Sequence, residues 1–197
     1  MHQLKRRVAK YSRWLHIYVS MTSFVIVLFF AVTGWTLNHP DKFGGPERRR
    51  QATGTIDPKL THSGGVEPAK REIVEALQRD QHVGGALSDF RVDDELISVA
   101  FKGPGYIADA SVDRRSGKYE FSESRLGAVA VLNDLHKGRD TGGAWKLLID
   151  VSAGLLTFIS LSGLVLLYFI HKHRVAGVVL LLAGGALTAL IVWAWVP

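Results

Sequence analysis

The stretch His16–His39, HIYVSMTSFVIVLFFAVTGWTLNH, decides the architecture. From Trp14 to Asn38 it contains no Asp, Glu, Lys or Arg. That is enough apolar chain for one helix to cross a hydrocarbon layer roughly 30 Å thick. A histidine stands at each end, 23 positions apart. At a rise of about 1.5 Å per residue, one falls near each face of a membrane. Imidazole is costly to place in or beside such a layer, so each ring needs a partner or a task.

Two further apolar runs follow, Leu147–Ile170 with the single acid Asp150, and Val175–Val196 with no charge. The pattern predicts three membrane helices. The expected layout is a basic N-terminus over 1–13, spans over 14–39, 145–171 and 175–197, a folded domain over 40–144 and a turn over 172–174. The first span is too long for a secretory signal and has no small-x-small site after it.

The net charge of +6 is local. Lys5, Arg6, Arg7, Lys10 and Arg13 precede the first span, and Lys172 and Arg174 lie in the last turn, while residues 40–146 balance 17 basic against 17 acidic side chains. Excess cations beside the membrane on one side fit the positive-inside pattern. It puts the N-terminus in the cytoplasm and the folded domain outside, and it argues against nucleic acid as partner. Membrane lipid is the expected neighbour, and all five tryptophans (Trp14, Trp35, Trp145, Trp193, Trp195) fall at predicted span ends. With no cysteine, disulfides, iron–sulfur clusters and covalently attached haem are excluded.

Between the first two spans, Asp41–His62 reads as loop, rich in Gly, Pro and charge. A helix is expected from about Val66 to Leu77, with Pro68 in its first turn and Gly84-Gly85 as its stop. Alternating runs at Leu87–Val92, Leu96–Phe101, Tyr106–Val112 and Lys118–Phe121 predict antiparallel strands separated by turns. A second helix, about Arg125–His136, leads back to the membrane.

The helix followed by hairpins, with Ile107–Lys118 closing one strand and opening the next, resembles a PepSY domain. The spans resemble the PepSY-associated transmembrane family, in which a Leu-His near a helix start goes with a Thr/Ser-Gly near its far end. Here these are Leu15-His16 with Thr33-Gly34, and Leu135-His136 with Ser162-Gly163. The resemblance implies a bacterial inner-membrane reductase of ferric iron or ferrisiderophores that carries haem b, with its soluble domain in the periplasm. Larger members have more spans than three, so a complete electron path is expected to need a homodimer.

The histidines fit that chemistry. His16, His171 and His173 fall on the cytoplasmic side, His39 and His136 outside. Haem iron accepts imidazole as an axial ligand, and sets at opposite ends of one bundle could hold one or two haems per chain. His16, Ser20, Ser23, Val27, Phe30 and Gly34 share one helix face, and Gly154, Thr157, Leu161, Leu164, Tyr168 and His171 make a similar one on the second span. His171 and His173 point about 200° apart, so one iron cannot take both; His171 continues the small-residue face and His173 is the alternative. Arg13 and Arg174 suit haem propionates, as do Lys172 inside and Lys137 or Arg139 outside.

No glycine-rich phosphate fingerprint is present, so the electron donor is expected to be a cytoplasmic reductase or quinol. The leading reading is a haem b ferric reductase supporting iron uptake. The alternative is a non-enzymatic membrane-anchored PepSY module that binds or regulates a periplasmic partner, with interfacial or pH-sensing histidines. Direct metal binding by the same histidines is a third reading.

Overall fold

The computed structural model describes residues 2–61, 69–170 and 172–197. In chain order the elements are α1 (His2–Leu37), α2 (Pro40–Phe43), β1 (Arg48–Thr55), α3 (Pro58–Thr61), α4 (Lys70–Gln81), β2 (Ala86–Val92), β3 (Leu96–Gly103), β4 (Tyr106–Asp113), β5 (Lys118–Arg125), α5 (Ala128–Lys137), α6 (Gly142–Phe169) and α7 (Arg174–Trp195). They fall into two units, Met1–Leu28 with Asp150–Pro197, and Phe29–Ile149.

Among the described residues, three stretches are long and apolar enough to cross a membrane: Arg7–Leu37, Gly142–Phe169 and Arg174–Trp195. They mark a membrane protein. The basic N-terminal residues extend α1 backwards, and the helix stops at Leu37 because Pro40 cannot donate the next backbone bond. In the first unit, His16, Ser20, Ser23 and Val27 lie on the less exposed side of α1, as their spacing predicts. On α6 the expected face and the less exposed row are different ones. Gly154, Thr157, Leu161, Leu164 and Tyr168 are exposed, while Ser152, Leu155, Ile159, Ser162 and Leu166 form the inward row. These five recur at alternating three- and four-residue spacing, which makes them one stripe along the helix.

The second unit is built on one antiparallel sheet, in the order β1-β5-β4-β3-β2. Strict alternation makes one face of it. Ile97, Val99 and Phe101 of β3, Ala108, Ala110 and Val112 of β4, and Tyr119 and Phe121 of β5 point inward and are buried. Ile73 and Leu77, one turn apart on α4, close over them, both 0% exposed. This is the α+β arrangement that the alternating runs predict. The helix itself differs at its C-terminal end. Its expected start, Val66 to Pro68, lies outside the described residues, as does His62, and α4 runs from Lys70. It stops at Gln81, before the two glycines, because His82 takes a left-handed conformation (φ 50°) that ends the turn.

The segment from Asp41, expected as loop, contains the edge strand β1. Its inward positions are Arg50, Ala52 and Gly54, opposite Glu123, Phe121 and Tyr119 of β5. The large side chains of β5 already fill that end of the core. A Cβ on Gly54 would overlap the Tyr119 ring. Small residues and one ion-paired arginine are therefore what the edge needs, and no apolar alternation betrays the strand. Arg50 donates to buried Glu123 at 2.7 Å and to the Gln81 carbonyl at 2.7 Å, and Arg125 pairs with the other Glu123 oxygen. Gln81 completes the group by donating to the Tyr119 hydroxyl at 2.7 Å.

Candidate functional site

Each unit holds one histidine in the same kind of setting. In the first, Nδ1 of His16 on α1 lies 2.7 Å from the Ser162 hydroxyl of α6. Ser162 in turn donates to the Ile159 carbonyl of its own helix at 2.9 Å. The next residue is Gly163, and a Cβ there would sit 3.5 Å from Cε1 of His16. The imidazole thus lies over bare helix backbone. Ser23 is 1% exposed and donates to the Val19 carbonyl at 2.7 Å. Ser20, one turn beyond His16, has a buried hydroxyl with no hydrogen-bond partner among the described residues.

In the second unit, Nδ1 of His136 on α5 lies 2.6 Å from the Thr33 hydroxyl of α1. Thr33 is 2% exposed and donates to the Phe29 carbonyl at 2.7 Å. A Cβ on Gly34 would lie 3.4 Å from Cε1 of His136. The Phe30 ring meets the imidazole edge-on at 5.1 Å between centroids. The two settings match part for part: a Leu-His, a hydroxyl on Nδ1, a helix carbonyl behind the hydroxyl, and a glycine under the ring.

Local structure fixes His136. It occupies the last turn of α5, which closes at Gly138 in the left-handed conformation, φ 66°, with its N–H on the Leu135 carbonyl and Arg139 N–H on the Asp134 carbonyl. The Trp145 indole N–H donates to the Leu135 carbonyl at 2.8 Å, and its ring meets Phe29 edge-on. From the sheet, the Gly105 N–H of the β3–β4 turn donates to Asp134 at 2.9 Å. The hydroxyl of Thr36 sits 3.0 Å from the Asn133 side-chain oxygen. The histidine is therefore held from three directions.

The other histidines are placed differently. His39 hydrogen-bonds through Nδ1 to the Trp35 carbonyl at 3.1 Å and packs edge-on against the Trp35 ring, so its contacts are separate from those of His136. His173 is exposed just before α7. His171 lies outside the described residues. Arg13 is exposed on α1, and Arg174 stacks over the Tyr168 ring at 4.7 Å. Among the described residues, no three His, Asp or Glu side chains converge on a point where a bare metal ion would bind.

A family model described as Putative PepSY_TM-like matches residues 10–197. The chain belongs to the PepSY_TM-like family. The match takes in the three apolar helices and the five-stranded sheet domain together. No curated protein and no solved structure matches the chain.

Within this PepSY_TM-like chain the short motifs pair crosswise. The sequence couples Leu15-His16 with Thr33-Gly34 on one helix, and Leu135-His136 with Ser162-Gly163 further on. In the fold, His16 takes Ser162-Gly163 and His136 takes Thr33-Gly34. The hydroxyls on Nδ1 have no place among the site residues expected from sequence. Two Leu-His and two hydroxyl-Gly dipeptides in apolar surroundings are the signal that could have found them. Asp113 caps the β4–β5 turn, and the hydrogen bond from the Ser116 N–H, more than any other cause, lowers its carboxyl pKa. Asp109 lies on the open face of the sheet.

Proposed function

We propose that the protein is a haem b-dependent oxidoreductase of the bacterial inner membrane. In this reading it passes electrons from a cytoplasmic reductase or quinol to ferric iron or a ferrisiderophore in the periplasm, in support of iron uptake. The observation that carries it is the pair of anchored imidazoles. His16 and His136 each have Nδ1 engaged by a hydroxyl, and neither Nε2 has a partner among the described residues. An axial haem ligand needs one nitrogen free for iron and the other hydrogen-bonded behind it. The unpartnered Ser20 hydroxyl one turn from His16 and the glycine under each ring add to the fit.

When bound, haem b supplies the one-electron carrier. The chain does the rest. His16 and His136 would each hold a haem iron through Nε2, and the packed glycines let each ring lie close to a neighbouring helix. Arg13 and Arg174 offer cations to propionates on the cytoplasmic side. His39, His171 and His173 are the candidates for further iron ligands, and a homodimer would bring a second set of the same imidazoles. The apolar spans keep water from the path.

The test is purification of the full chain from haem-replete cells. The wild type is expected to be red, with a Soret band and a sharp reduced α band. His16→Ala and His136→Ala are each expected to lower haem content and ferric reduction, and His62→Ala to change neither. Full haem content in the first two variants overturns the ligand assignment. A colourless wild type leaves the membrane-anchored module that binds a periplasmic partner.

A further inference from the structure

We infer that Ser162 and Thr33 are positioning residues that lock His16 and His136 in the Nδ1-protonated tautomer, leaving both Nε2 lone pairs as electron donors. The inference that iron is what those lone pairs receive rests on the function proposed above; the lock itself does not.

Proton counting carries it. A hydroxyl has one proton and can accept through its lone pairs. The Thr33 oxygen lies 2.7 Å from the Phe29 carbonyl and 2.6 Å from His136 Nδ1. If the hydroxyl gave its proton to Nδ1, two oxygens would face each other at hydrogen-bond distance with no hydrogen between them. If it gives the proton to the Phe29 carbonyl, Nδ1 must bring its own. Only the second arrangement satisfies all three atoms, and the ring then carries N–H at Nδ1 and a lone pair at Nε2. Ser162 repeats the arrangement, 2.9 Å from the Ile159 carbonyl and 2.7 Å from His16 Nδ1. The chain uses the same three-atom relay twice, on different helices and with different hydroxyl residues. Ser and Thr both serve because only the hydroxyl is needed.

The relay also prepares the ring chemically. A hydrogen bond accepted from Nδ1–H raises the basicity of Nε2, and it fixes the plane of the imidazole before any ligand arrives. With the hydroxyl removed, the neutral ring is free to hold its proton at Nε2, where it blocks coordination.

The experiment is nitrogen NMR on the haem-free full chain, labelled with 15N-histidine, in detergent micelles at a pH where imidazole is neutral. His16 and His136 are expected to show a protonated-type signal at Nδ1 and an unprotonated-type signal at Nε2. Thr33→Val is expected to release His136 alone to a mixture containing the Nε2–H form, and Ser162→Ala to release His16 alone. Thr33→Ser and Ser162→Thr keep the hydroxyl and are expected to keep the wild-type pattern, which separates loss of the lock from loss of folding. Nε2–H as the main form in the wild type overturns the inference, as does an unchanged tautomer in the hydroxyl-free variants. In haem-loaded protein, Thr33→Val and Ser162→Ala are each expected to shift one midpoint potential upward, because a less basic imidazole stabilises the oxidised iron less. Absence of any Soret band counts against the proposed function and leaves the tautomer measurement standing by itself.

Discussion

Substitution at Gly163 should change sign with side-chain size. An alanine Cβ there meets Cε1 of His16 at 3.5 Å, an ordinary contact, so the ring need not move. Alanine also removes the backbone freedom that makes glycine costly inside a helix, a gain of about 0.5–1 kcal/mol. Valine places two branch carbons about 1.5 Å further out, in two of the three staggered positions. The imidazole must then swing away from α6. Overpacking costs about 1–3 kcal/mol, and losing the Ser162 bond adds about 1 kcal/mol. Gly163→Ala is therefore expected to stabilise the protein by up to about 1 kcal/mol, and Gly163→Val to destabilise it by about 2–4 kcal/mol. Denaturant unfolding of the full chain in micelles, followed by tryptophan fluorescence, measures both. A valine variant as stable as the wild type would show that the His16 ring does not lie where the contact with Gly163 puts it.

Burial works against the Glu123 anion, but hydrogen bonds and charge from Arg50 and Arg125 outweigh it and hold its carboxyl pKa below the usual range. A lowered folded pKa stabilises fully above the ordinary carboxylate pKa and is lost as pH falls through the folded value. Glu123→Gln is thus expected to cost about 1–2 kcal/mol at pH 7, the arginines being half-exposed, with the gap from wild type closing in acid; melts across a pH series check it, and a gap constant with pH refutes it. Gly54→Val, which drives a side chain into the Tyr119 ring, is expected to cost about 1–3 kcal/mol and to loosen the Gln81 bond; near-ultraviolet circular dichroism during unfolding reports it.

The chain by itself determined the elements whose burial pattern repeats along one segment. The three spans are long apolar runs, broken only by Asp150 in the second, and a membrane accommodates them at that length. The strands β3 to β5 alternate because one sheet face is dry, and that period is written residue by residue. Five histidines at span ends (His16, His39, His136, His171 and His173) stood out because imidazole in apolar surroundings needs a reason, and the fold sets His16 and His136 apart. Tertiary structure decided what depends on a partner distant in sequence. The edge strand β1 is polar because Tyr119 and Phe121 supply its share of the core. The inward side of α6 is set by fit to its neighbours, and apolar residues all round a membrane helix leave its rotation undetermined. The crosswise pairing of His16 with Ser162 and His136 with Thr33 spans 146 and 103 residues of sequence, and only the packing of helices brings each hydroxyl to its nitrogen.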